Sequence, residues 1–297
     1  MVEGTVRFLA MEILHIPALR NPVMLCAFSG WNDAAESASA ALEHVINALS
    51  ENIPGVVSTL IGEIDSDDYF DFQVNRPQVS LDESENRTIA WPSTQIWGVS
   101  VPGFSRDFVI VSGSEPSMHW KSFVTEVLDL ADDLEVSLII TIGSLLADVP
   151  HSRPISVGIS ASSPALAKEL GLEISRYEGS IGILGIINDG AMRRGIDAIS
   201  MWAAIPHYAS NAPSPKAALA LIHAIEDFLD VEIPQGNLPN EADAWEKEID
   251  TLALEDTDVA DYVKSLEESK DAQDLPEVSG ESIAKEFERF LRRNNQS

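Results

Sequence analysis

Apolar runs of strand length recur at residues 23–28, 56–61, 108–111, 136–142 and 199–204, each short enough to read as a buried strand. Between several of them the apolar period lengthens to three or four. Trp120, Phe123, Val127, Leu130 and Leu134 fall on one helical face. Helix starts are marked by Asp33 with Glu36 three residues later, which has the arrangement of an N-cap and an N3 acid, and by Ser163-Pro164 and Ser214-Pro215, an N-cap followed by proline at the first helical position. The pattern predicts helices over 34–49, 120–134, 164–170 and 215–229. Strands alternating with helices predict an α/β domain of three layers, α/β/α, around a mixed, mostly parallel sheet.

Two stretches depart from this alternation. Residues 65–92 are rich in acids and aromatics and broken at Asn75-Arg76-Pro77, which reads as an excursion from the sheet edge that covers a site or reaches a neighbouring subunit. Residues 95–102 alternate apolar and small positions in the manner of an edge or intersubunit strand. After Val231 the composition changes. A linker over 234–239 leads into an acidic extension with helical pieces at 241–254, 258–268 and 282–293, so the chain divides into an α/β domain, 1–233, and an extension, 234–297.

The length of 297 residues suits that division. A net charge of −29 disfavours nucleic acid and anionic membranes, which are bound mainly through Lys and Arg. The single cysteine, Cys26, lies in an apolar run and reads as a core residue. No apolar run approaches the roughly 20 residues needed to span a bilayer, and the N-terminal residues lack a signal-like apolar stretch, so a cytoplasmic protein is expected.

Three strand ends carry glycine loops: Gly30, Trp31, Asn32 and Asp33; Gly113 and Glu115; Gly143 and Ser144. Such loops at the carboxyl ends of strands either converge on a ligand or simply permit tight turns. None matches a phosphate-binding loop, a dinucleotide fingerprint or a nucleophile elbow. His151 and His207 each follow a proline after a strand, with Asp148, Arg153, Tyr208 and Lys216 nearby. This set could hold an anion or move a proton, and it could equally consist of structural hydrogen bonds. The acids Glu63, Asp65, Asp67, Asp68 and Asp71 read as a solvated loop, with Asp68 or Asp71 pairing with Arg76. The histidine spacing matches no metal site, and neither metal nor cofactor is expected. Most of the tryptophans are expected in the core.

The loops at residues 148–154, 177–182 (beginning at Tyr177), 202–208 and 212–216, with 30–33, 71–77 and 113–116, resemble the bacterial and archaeal branch of the proteasome assembly chaperone 2-like family over roughly residues 10 to 230. The resemblance implies a phosphorylase- or hydrolase-like α/β/α fold. It also implies a protein partner, as for relatives that dock on the proteasome, and a homo-oligomer, a trimer before a dimer. The family's docking tail, a hydrophobic residue and a tyrosine near the end, is not matched by Asn294-Asn295-Gln296-Ser297. The expected function is a non-enzymatic chaperone-like or scaffold protein. The alternative is an enzyme acting on a small anionic substrate, with His151 or His207 as acid or base.

Overall fold

The computed structural model describes residues 11–82, 85–255 and 257–274. Among them, nine strands form one sheet: β1 (Met11–Ile13), β2 (Val23–Ser29), β3 (Val57–Ile64), β6 (Thr94–Ser100), β7 (Phe108–Ser114), β8 (Leu138–Ala147), β9 (Val157–Ala161), β10 (Glu173–Ile174) and β11 (Asp197–Pro206). The remaining two, β4 (Gln78–Leu81) and β5 (Arg87–Ala90), make a separate antiparallel hairpin. The sheet order is β1-β3-β6-β7-β2-β8-β11-β9-β10. Its middle four strands, β7, β2, β8 and β11, run parallel. Antiparallel pairings flank them on both sides.

Helices cover both faces. On one lie α1 (Ser37–Asn52), α4 (Pro164–Leu170) and α6 (Pro215–Leu229), and on the other α3 (Trp120–Asp133) and α5 (Ile183–Arg194); the short α2 (Ser66–Tyr69) follows β3. The central strand β2 shows why its sequence is a continuous apolar run. Val23, Leu25 and Ala27 pack towards α1 and α6, while Met24, Cys26 and Phe28 pack towards α3. A strand buried on both faces leaves no polar alternation to read. Burial also pushes the Cys26 thiol well above its ordinary pKa.

Several expectations are corrected. The segment read as an edge strand is β6, which pairs with β3 on one side and β7 on the other, so it lies inside the sheet. Helix α1 starts at Ser37 because Ala35 and Glu36 both adopt left-handed backbone, with φ of 51°, so Glu36 is no N3 acid although Asp33 still caps the turn. Ser163 caps α4 by accepting from the Leu166 amide, whereas Ser214 Oγ makes no cap hydrogen bond. Helix α5 was absent from the sequence pattern.

The extension begins with α7 (Leu238–Glu255), which buries Ala242, Trp245 and Ile249, and continues into α8 (Thr257–Asp274). The helical piece expected at 282–293 lies outside the described residues. Among the described residues, no helix is long and apolar enough to cross a membrane.

Candidate functional site at the carboxyl edge of the sheet

The parallel strands β2 and β7 deliver two loops to one place, beside Ser144, which with Gly143 lies within β8 and not in the loop expected at its end. Asn32, 1% exposed, donates Nδ2 to Glu115 Oε1 at 2.6 Å. The same oxygen accepts the Ile183 amide at 2.8 Å, so Glu115 sits at the open N-terminus of α5, where the helix dipole favours a carboxylate. This requires glycine at position 182, because a Cβ there would lie 2.2 Å from both Asn32 Nδ2 and Oδ1. Among the described residues, Asn32 Oδ1 itself is buried with no hydrogen-bond partner.

Asp33 anchors the second half of the network. Its Oδ1 accepts from the Ala38 amide at 2.7 Å and from Ser144 Oγ at 3.3 Å, and Oδ2 accepts from Ser39 Oγ at 2.5 Å. Burial pushes the Asp33 carboxyl above its ordinary pKa, against the pull of these donors. Four of the expected residues thus meet here: Asn32, Asp33, Glu115 and, through its loop, Gly30. Gly113 stands beside Phe28 in the β2–β7 pairing, where a Cβ would lie 2.1 Å from the Ser93 carbonyl oxygen.

Around this buried network the surface is apolar. Trp31 (65% exposed) and Tyr177 (64% exposed) stand out with Leu145, Leu146 and Ile181. The loop over 71–76 joins the same edge through Asn75 Nδ2, which donates to the Glu115 carbonyl at 3.3 Å. From it springs the β4–β5 hairpin, all eight strand residues of which are exposed. Val79 stands directly opposite Ile89 on one face, while Ser80 and Thr88 hydrogen-bond on the other. Trp91 at the base packs edge-on to Phe72, with centroids 4.9 Å apart, yet remains half exposed. Trp31 and Trp91 therefore depart from the expectation that most tryptophans are core. Arg76 pairs with neither Asp68 nor Asp71 in the described residues, since Asp71 Oδ1 instead accepts the Gln73 amide.

The histidine loops form a second group. His151, 1% exposed, is held by Tyr208, whose hydroxyl lies 2.8 Å from Nδ1, and by Asp250 of α7, whose Oδ1 lies 3.0 Å from Nε2. Lys216 Nζ donates to the His151 carbonyl at 2.5 Å and pairs with Glu246 of α7. Arg153 Nε and Nη2 each donate to Asp271 of α8 at 2.8 Å, and Asp148 accepts from the Tyr262 hydroxyl at 3.0 Å. His207 Nδ1 lies 3.4 Å from the same Asp148 oxygen. Burial pushes the Tyr208 phenol up to about 12. The partners of this group, Glu246, Asp250, Tyr262, Glu267 and Asp271, were not anticipated from the sequence. The one available signal was the i, i+4 spacing of acids along the extension.

The hydrogen-bond partners therefore separate the glycine loops from the histidine loops. A hollow between α1, α6 and α7, lined by residues including His44, Pro213 and Leu238, touches neither group's polar core.

Comparison with known proteins agrees with this architecture. The model of the PAC2 family matches residues 27–253. A PAC2 family protein from Streptomyces avermitilis MA is 46% identical with a TM-score of 0.74, covering 82% of this chain and 99% of that one. A proteasome-assembly chaperone homologue from Mycobacterium tuberculosis is 42% identical with a TM-score of 0.72, covering 81% and 99%. An archaeal proteasome activator from Pyrococcus furiosus, 17% identical, shares the fold with a TM-score of 0.65, covering 82% and 97%. No curated protein matches the chain.

Proposed function

Because this chain belongs to the PAC2 family, we propose that it is a chaperone-like protein of the cytoplasm that associates with copies of itself and binds a protein partner, without catalysing a reaction. The observation that carries this reading is the exposed apolar hairpin. A two-stranded hairpin alone is marginal in water, and one whose face presents Val79, Leu81 and Ile89 to solvent gains stability when that face is covered. Trp31, Tyr177 and Ile181 extend the apolar surface along the carboxyl edge. Aromatic side chains so exposed are the usual anchors of protein interfaces. The polar groups beneath them support binding over catalysis, because Asn32, Asp33, Glu115 and Ser144 spend their hydrogen bonds largely on one another and on nearby backbone amides.

In this reading residues 1–233 form the α/β domain and the acidic extension starts at 234, its first helix α7 lying largely within the family match that runs to residue 253, and the assembly is a trimer built on the hairpins. Proteasome subunits are the first partner to test, since a relative is described as a proteasome-assembly chaperone homologue.

The test is sedimentation equilibrium of the wild-type chain beside a Val79→Asp, Ile89→Asp double variant. The reading expects an oligomer that the variant reduces to a monomer with an unchanged circular dichroism spectrum. A monomeric wild type, or a variant of the same mass as an oligomeric wild type, defeats it.

A further inference from the structure

The two helices of the extension are held in different ways. α7 contributes Leu238, Ala242, Trp245, Ile249 and Ala253 to the interior. In α8, Val263 is the one buried residue among those whose burial is described. What joins α8 to the domain is mainly polar. Arg153 grips both carboxylate oxygens of Asp271 at 2.8 Å, and its Nη1 lies 3.5 Å from Glu267 Oε1. Ser152 Oγ donates to Glu267, and the Tyr262 ring lies edge-on to His207 and Tyr208, at 5.5 and 6.1 Å between centroids.

Val263, Glu267 and Asp271 share one stripe of the helix, because positions four apart stack on the same face, and Tyr262 flanks the stripe beside Val263, where its ring meets His207 and Tyr208. The domain surface beneath this stripe is therefore a recognition surface for a particular kind of helix: an aromatic residue, an apolar neighbour, then two carboxylates a turn apart. Arg153 supplies the forked cation that reads a carboxylate in two directions at once. The hold is nevertheless open to water. The Arg153 side chain is 34% exposed and that of Asp271 53%. Ion pairs of that exposure contribute little and are screened by salt. A helix with so small an apolar anchor is not stable by itself and is easily lifted.

We propose that Ser152, Arg153, His207 and Tyr208 form a docking site for an acidic helix of a partner protein, and that α8 occupies this site in cis as a displaceable stand-in. The partner's helix matches the stripe of α8 and displaces it by burying more apolar surface than Val263 and Tyr262 do. Tethering gives α8 an effective concentration in the millimolar range, so a free helix competes poorly until α8 is weakened. This surface is separate from the apolar hairpin edge, so the present inference and the self-association reading fail independently.

The probe is a fluorescein-labelled synthetic peptide of residues 257–274, followed by anisotropy against full-length chains. A Glu267→Gln, Asp271→Asn chain, whose own α8 is weakened, binds the peptide at least about tenfold more tightly than wild type does, the gain set by removing the tethered competitor. Adding Arg153→Ala to that chain abolishes binding, and adding Arg153→Lys instead leaves it intermediate, because the charge stays while the fork is lost. Circular dichroism melts verify that all four chains are folded. Equal binding to the weakened chain with and without Arg153, or no binding to the weakened chain, overturns the proposal.

Discussion

The glycine-loop network and the contacts under α8 use the same chemistry at the same edge of the sheet, and they differ in where their partners come from. In the first, Asn32, Asp33 and Glu115 come from the loops after β2 and β7 and Ser144 from within β8, all in the core, and Asn32, Asp33 and Ser144 are buried. In the second, Arg153 and Asp148 look outwards to acids and a tyrosine of the extension, and the pairs remain partly wet. Carboxylates built into the core are locked, whereas carboxylates laid over it can be exchanged. His151 marks the border, since it is buried yet ends on Asp250 of α7.

The largest effect that sharpens this contrast is expected at Asp33. Asp33→Ala removes the cap of α1 and leaves the buried Ala38 amide without its acceptor, while the hydroxyls of Ser39 and Ser144 keep only the carbonyls of Glu36 and Ala34. Loss of a cap together with an unsatisfied buried donor costs about 3 kcal/mol, read as a shift in the urea midpoint. Asp271→Asn, by contrast, leaves that midpoint unchanged. If the two substitutions cost the same, the division into a locked and an exchangeable region is wrong.

Acid provides a smaller test with opposite signs. The Asp33 carboxyl is raised by burial, so its contribution is fully present below the ordinary value of 3.8 and falls as pH rises through its folded pKa. The hydrogen bond from Arg153 lowers the Asp271 carboxyl, so the α8 contact is intact above 3.8 and is lost as pH falls through the lower folded value. The stability advantage of wild type over Asp33→Asn therefore shrinks as pH rises from 3.8 upwards, measured by urea melts across the acid range. The advantage over Asp271→Asn in protecting α8 from protease shrinks in the other direction.

How much of this was legible in the sequence depends on how local the cause is. Strand β2 was readable because both its faces are buried, and α4 because Ser163 and Pro164 mark its start. Helix α5 was hidden by its glycines. At Gly190 a Cβ would lie 2.7 Å from Leu128 Cδ1 of α3, and that close approach is a property of the packed molecule. Strand β6 read as an edge because small residues break its apolar run, yet Gly98 is small because Pro17 lies over it, 2.8 Å from where its Cβ would be. Of the candidate residues, Asn32, Asp33 and Glu115 were recognisable as loop residues at strand ends. Their mutual contacts depend on strand order, which local periodicity does not encode. The partners of His151 and Arg153 lie 99 and 118 residues away, in an extension whose acids look alike in sequence.

A locked core edge beside an exchangeable cover should separate in hydrogen exchange of the full-length chain at low salt and at about 1 M salt, where exposed pairs are screened within roughly 3 Å. Residues 183–194 are expected to stay protected in both conditions, α7 to change little, and 257–274 to exchange much faster in high salt. Protection of α8 that equals that of α5 and is indifferent to salt would contradict it.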